Sequence, residues 1–217
     1  HHFDHGGGLG TCFAANPHAK TYLRRGSQGQ PTLRLFGLLK RDIGLDQRML
    51  QNYASRFEYV DQAREIPPGV FIITDIPKNH PMPKGNRHLP LRQGLHWQPD
   101  PFDHELILVI QESSGLVVFT GCSHNGILNM LDAVTAHFPG QEIQALFGGF
   151  HLIDMPIFNT LAGSPGEIEN LGQQLLQYPI QTIYTGHCTG MKAYPILKRA
   201  LGEKLHYFAT GDRVDIA

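Results

Sequence analysis

Near the start of this chain, His2-Phe3-Asp4-His5 places two imidazoles and a carboxylate within four residues, and Gly6-Gly7-Gly8 follows at once. Neutral imidazole and carboxylate are standard ligands of zinc, iron and manganese, and a glycine-rich continuation suits a tight loop around an ion. A purification tag would be an unbroken histidine run, and Phe3-Asp4 interrupts this one. The chemistry these residues offer is therefore metal binding.

Three later segments repeat one pattern. Leu116-Val117-Val118-Phe119-Thr120-Gly121-Cys122-Ser123-His124 is an apolar run that ends in glycine and then histidine. Ile143-Gln144-Ala145-Leu146-Phe147-Gly148-Gly149-Phe150-His151 does the same, and so does Ile180-Gln181-Thr182-Ile183-Tyr184-Thr185-Gly186-His187-Cys188. Runs rich in β-branched and aromatic residues, bounded by glycine, predict strands. Each is followed by a candidate helix, and strand-loop-helix units place their loops at the carboxyl edge of a sheet. One histidine at a strand end is ordinary; three in register bring His124, His151 and His187 towards one edge.

The elements that must position these residues are legible from the same cues. Gly6 to Asn16 predicts a helix start, and Ala19 to Leu23 a short strand. Arg25 to Asp42 reads as irregular because Gly26, Gly29 and Pro31 interrupt it. A helix is expected over Leu45 to Ser55 and strands near Phe57–Val60 and Val70–Thr74. Pro77 to Asp103, with the single tryptophan Trp97, reads as a long lid-like loop. Strands resume at Glu105–Gln111 and Leu116–Thr120. Ile127, Leu131, Val134 and Phe138, spaced by four, three and four, form one buried helical stripe. Ser164-Pro165-Gly166-Glu167 is a capping box with proline at the first helical position. Lys192 to Leu201 predicts a last helix with Pro195 in its first turn, and strands at Leu205–Phe208 and Val214–Ile216 close the chain.

The N-terminal run resembles the His-x-His-x-Asp-His signature of the metallo-β-lactamase fold hydrolases, with the first histidine lying just before residue 1. Thr120-Gly-Cys-Ser-His124-Asn-Gly-Ile127, Gly148-Gly-Phe-His-Leu152, Thr185-Gly-His-Cys-Thr-Gly190 and the stretch Phe57 to Val70 are similar to one branch of it. That branch is the 7,8-dihydropterin-6-yl-methyl-4-(β-D-ribofuranosyl)aminobenzene 5′-phosphate synthase-like one. The resemblance implies a single α/β domain over 1–217, an αββα sandwich lacking its first strands, one sheet of which then exposes an edge. It also implies two divalent ions, zinc by preference with manganese or iron as alternatives. The ligands would be His2, Asp4, His5, His124, His151 and His187, with His2 and His124 on one ion and Asp4, His5 and His187 on the other. Where relatives carry a bridging acid this chain has Cys122. His151 and Cys122 both remain candidates there, His151 being preferred because Gly148-Gly149 gives it room. The implied enzyme is a metal-dependent hydrolase in which a metal-bound hydroxide attacks a small phosphorylated or ester-bearing metabolite. Asp4 and His187 are the residues on which turnover should depend.

Composition sets the outer bounds. The chain has 217 residues, a net charge of −1 and three cysteines, Cys12, Cys122 and Cys188. The charge balance advertises no polyanion-binding surface, so no nucleic-acid partner is expected. No apolar run reaches the roughly 20 residues of a membrane span. An odd cysteine count favours a reducing, cytoplasmic compartment, although a leader preceding residue 1 stays open. A di-iron redox protein of the same fold and a non-catalytic metal sensor are the alternatives to a hydrolase. His18, His137 and His206 follow no glycine elbow and read as surface or helix-end residues. His80, His88, His96 and His104, on or beside the loop, are open to a substrate role. Trp97 and Phe150 could stack on a substrate ring, with core packing as the alternative for Phe150.

Overall fold

The computed structural model describes residues 1–155 and 158–216. The chain divides into two compact units, one made of His1–Asp61 with Asn86–Glu105 and the other of Gln62–Gly85 with Leu106–Ala217.

The second unit is built on a seven-stranded sheet. Its strands run in the order Leu205–Tyr207, Ile180–Thr185, Ile143–Phe147, Gly115–Phe119, Ile107–Glu112, Val70–Ile73 and Arg64–Glu65. The first four are mutually parallel and the remaining pairings antiparallel. Side-chain alternation decides what each face does. Val118, Leu146 and Ile183 stand side by side in register, each at most 1% exposed, on the face packed beneath the helices. On the other face Phe119, Phe147 and Tyr184 form a stacked ladder with ring centroids 4.9 and 4.6 Å apart. Because these three strands are in register at their last residues, their following loops leave the sheet side by side.

The helices cover the core face as the periodicity predicts. Ile127–His137 buries Ile127, Leu131 and Val134, and Phe138 packs just beyond it. Pro165–Leu175 starts at the expected capping box, Ser164 accepting from Glu167 N while the Glu167 carboxylate accepts from Ser164 N. Tyr194–Leu201 carries Pro195 in its first turn, where no amide hydrogen is needed.

The first unit holds a four-stranded antiparallel sheet ordered Leu39–Asp42, Gln30–Leu35, Pro90–Gln93 and His96–Pro99, and a parallel pair of Thr21–Leu23 with Phe57–Tyr59. Two expectations change here. The stretch read as irregular contains a hairpin: Thr32 and Leu35 supply buried side chains, and Phe36-Gly37 turn the chain with φ of 54° and 71°. The stretch read as a long loop contains a 3₁₀ helix at Lys84–His88 and a second hairpin turned at Gly94. In both cases glycine and proline mark turns between short strands rather than the absence of strands. Trp97 packs within this unit under the cations of Arg34 and Lys40. The helix expected over Leu45 to Ser55 is shorter, Gln47–Asn52, capped by Asp46. Val214–Ile216 forms no strand.

Candidate metal centre

The three in-register strands of the second unit each end in a loop that carries an imidazole. Backbone bonds lock the loops together: Gly149 N donates to Gly121 O at 2.9 Å and Leu152 N to Cys188 O at 3.0 Å. Thr185 Oγ1 donates to Gly148 O at 2.7 Å, and Phe150 N donates to Thr189 Oγ1 at 2.9 Å. Each loop also contains a non-glycine residue in the left-handed region, Ser123, His151 and His187, with φ of 57°, 46° and 47°. Three of the six such residues among the described ones thus fall at these adjacent strand ends. A conformation that costs of order 1 kcal/mol or more persists only where the surroundings over-determine it, and such residues cluster at functional sites.

His124 and His151 meet with ring centroids 4.2 Å apart, and His124 is buried. Both ring nitrogens of His151 are shut off from solvent, and neither makes a hydrogen bond of ordinary distance and angle. Leaving one buried polar atom unsatisfied costs about 1–3 kcal/mol, so a doubly unsatisfied imidazole marks a place where a ligand belongs. Around it, donor atoms of Cys122, His151 and Cys188 lie within 4.8 Å of one another, and Cys122 Sγ is equally close to a ring nitrogen of His187. Hydrogen bonding with Cys122 draws the Cys188 thiol well below its ordinary pKa; burial opposes this, and the imidazoles of His151 and His187 assist. His187 is exposed, so the cluster grades from buried His124 to an imidazole open to solvent. Cys122 and His151, the two candidates for one position, both enter the cluster. A cavity of about 260 Å³ in the same unit is lined by Phe150 and Leu152, which flank His151, and by His80, Lys84 and Glu167. Phe150 itself is 1% exposed and packs in the core.

In the first unit His2, Asp4 and His5 lie on and just before the short helix Phe3–Gly6. Phe3 N donates to Ile43 O at 2.8 Å, which holds the run in place, and a side chain at Gly6 would collide with Leu45 Cδ2. His2 is buried, whereas Asp4 and His5 are exposed with Asp4 Oδ2 3.9 Å from His5 Nε2. Sequence reasoning passed over Asp100 as a partner here. Asp100, His104 and His2 are all buried, with donor atoms within 4.8 Å of one another. Burial first, and among the neighbouring groups His2 and Arg24, push the His104 pKa down to about 2. The Asp100-x-x-x-His104 spacing was the available signal.

The remaining histidines have other surroundings. His137 Nδ1 bonds the Ala133 carbonyl at the helix end, and His206 stacks on Tyr184. His80 lies 3.3 Å from Asp132. His18 and His96 are exposed, and His88 is half-buried beside Arg87 Nε at 3.2 Å.

No family model matches the chain. Among solved structures it is similar to the crystal structure of a metal-dependent hydrolase of the β-lactamase superfamily, with a TM-score of 0.73, 25% identity, and coverage of 92% of this chain and 72% of that one. The chain has the metallo-β-lactamase fold. It is also 28% identical over 207 residues to 7,8-dihydropterin-6-methyl-4-(β-D-ribofuranosyl)-aminobenzene-5′-phosphate synthase of Methanocaldococcus jannaschii. That match covers 88% of this chain and 65% of the relative, so the chain spans just under two thirds of the relative's length. No helix among the described residues is long and apolar enough to cross a membrane.

Within a metallo-β-lactamase fold, the donors found here fit a divalent ion. The nitrogens of His151 are buried, dry and unsatisfied, beside a second imidazole and two thiols. Imidazole, carboxylate and thiolate are the ligand types that zinc accepts.

Proposed function

We propose that the chain is a metal-dependent hydrolase that cleaves a small phosphorylated or ester-bearing metabolite at a two-ion centre held by His2, Asp4, His5, His124, His151 and His187. The two unsatisfied, solvent-shielded ring nitrogens of His151 at the strand ends are the observation that carries this reading. Divalent ions in such a set supply Lewis-acid charge and bring the pKa of a water down to about 7, giving a nucleophile at neutral pH. Histidine-rich donors favour zinc, with manganese and iron as alternatives.

The chain's own groups then have separate tasks. Buried His124, and His151 with both ring nitrogens shut off from solvent, hold position. His187 is exposed, and reaches the side from which substrate arrives. Asp4, also exposed, can accept a hydrogen bond from the attacking water and orient it. The relative's name, which refers to a 5′-phosphate, supports the phosphorylated substrate class, and the structural neighbour's description as a metal-dependent hydrolase supports the reaction type.

Hydrolysis of bis-p-nitrophenyl phosphate and of p-nitrophenyl esters by the purified protein tests the reading. His187→Ala and Asp4→Ala should abolish turnover with the circular dichroism spectrum unchanged, while His137→Ala behaves like the parent. Chelator should stop the reaction, and Zn²⁺ or Mn²⁺ should restore it. Full turnover in protein verified as metal-free would overturn the mechanism, and retained metal with no turnover on any ester or phosphodiester would favour a sensor.

A further inference from the structure

Three adjacent parallel strands, Gly115–Phe119, Ile143–Phe147 and Ile180–Thr185, deliver one soft or borderline donor each to a single point. The middle strand brings His151, flanked by Cys122 from one neighbour and Cys188 from the other. We propose that Cys122, His151 and Cys188 together bind one thiophilic divalent ion of the zinc class through two thiolates and one imidazole, with a fourth position left open. This rests on the hydrolase reading in that it names the sulfur ligands of the ion that His151 helps to hold.

Geometry supports the set. With Zn–S of about 2.3 Å and Zn–N of about 2.0–2.1 Å, tetrahedral ligand atoms sit about 3.5–3.8 Å apart. The three donors here already lie within 4.8 Å of one another, so contraction by roughly 1 Å closes the shell. Both thiols are buried, at 5% and 9% exposure, which screens the thiolates from competing water. Room for the second sulfur comes from Gly149, where any Cβ would collide with Cys188 Sγ. His151 has unsatisfied nitrogens for the ion and for a supporting contact. Two sulfurs and one imidazole with an open fourth position is a donor set that catalytic zinc uses. Binding releases the thiol protons to solvent, so affinity should rise with pH.

Cobalt(II) is the probe, titrated into reduced protein under nitrogen. The expected result is a thiolate-to-cobalt charge-transfer band in the near ultraviolet. Cys188→Ser and Cys122→Ser should each remove about half of its intensity, since each removes one of two sulfurs. Cys12→Ser, an exposed thiol outside the cluster, should leave it intact. As a measurement that needs no variant, zinc should protect Cys122 and Cys188, and not Cys12, from alkylation read by mass spectrometry. Cobalt bound with no charge-transfer band would overturn the sulfur set and leave the hydrolase reading standing. A band unchanged in Cys188→Ser, or zinc protection of Cys122 alone, would overturn the three-donor set. Absence of any cobalt binding would overturn both.

Discussion

The two units present their candidate ligands in opposite ways. In the second, His124, His151 and His187 follow directly from in-register strands, cross-bonded by neighbouring backbone and partly held in left-handed conformations. In the first, Asp4 and His5 are exposed on a four-residue helix whose N-cap makes no side-chain capping bond. The sheet edge is thus organised before any ion arrives, with unsatisfied polar atoms as the cost. The short helix spans a single turn and leaves these two side chains at the surface.

The largest expected effect tests the rigid side. Leu146 is 0% exposed in the second unit's core, on the strand that leads into the loop of His151. Leu146→Ala should destabilise by about 2–5 kcal/mol, read as the shift in urea midpoint. Conversion of the exposed Phe3 to Ala should change stability by no more than about 0.5 kcal/mol in the same measurement. Equal losses would mean that the two regions are not organised differently.

The next contrast uses the ion. A ligand that binds only the folded state at a hundredfold excess over its Kd stabilises by about 2.7 kcal/mol. Zinc should therefore raise the thermal midpoint of the parent. His151→Ala should eliminate the rise, whereas His5→Ala should reduce it only partly. A full zinc-induced rise in His151→Ala would remove the observation on which the hydrolase reading rests.

The strand-glycine-histidine recurrence was legible because period-2 burial and a glycine stop are both local signals. Ser164 to Glu167 was equally legible, since a capping box is contained in four residues. Ser164→Ala should cost about 1 kcal/mol, measurable as a small fall in thermal midpoint. What stayed hidden depends on distant residues. The hairpin at Gln30–Leu35 and Leu39–Asp42 needs Pro90–Gln93 beside it, and Pro31 in its strand masked the pattern. Asp100 joins His2 only through the fold of the first unit, and Cys188 reads as a packing residue until Gly149 is seen to leave space for its sulfur.

The smallest effect concerns a network in the second unit that sets the loop at Asn79-His80 against the helix Ile127–His137. Asn129 pairs with both backbone groups of His80, at 2.7 and 2.9 Å. Asp132 accepts from Tyr178 Oη at 2.6 Å and from Asn79 Nδ2 at 2.8 Å, with His80 Nε2 at 3.3 Å. Burial opposes ionisation of Asp132, but these donors outweigh it and hold its carboxyl below the ordinary value. Burial and then Asp132 itself raise the Tyr178 pKa. The sign follows from linkage: a carboxylate whose folded pKa is depressed contributes stability that is complete above its unfolded pKa of about 3.9 and is lost as pH falls through the folded value. Because the group is partly exposed, that contribution should not exceed about 1 kcal/mol. Asp132→Asn should therefore cost little at pH 7 and flatten the stability profile below about pH 4 relative to the parent. If the two profiles run parallel through that acid window, Asp132 carries no depressed pKa.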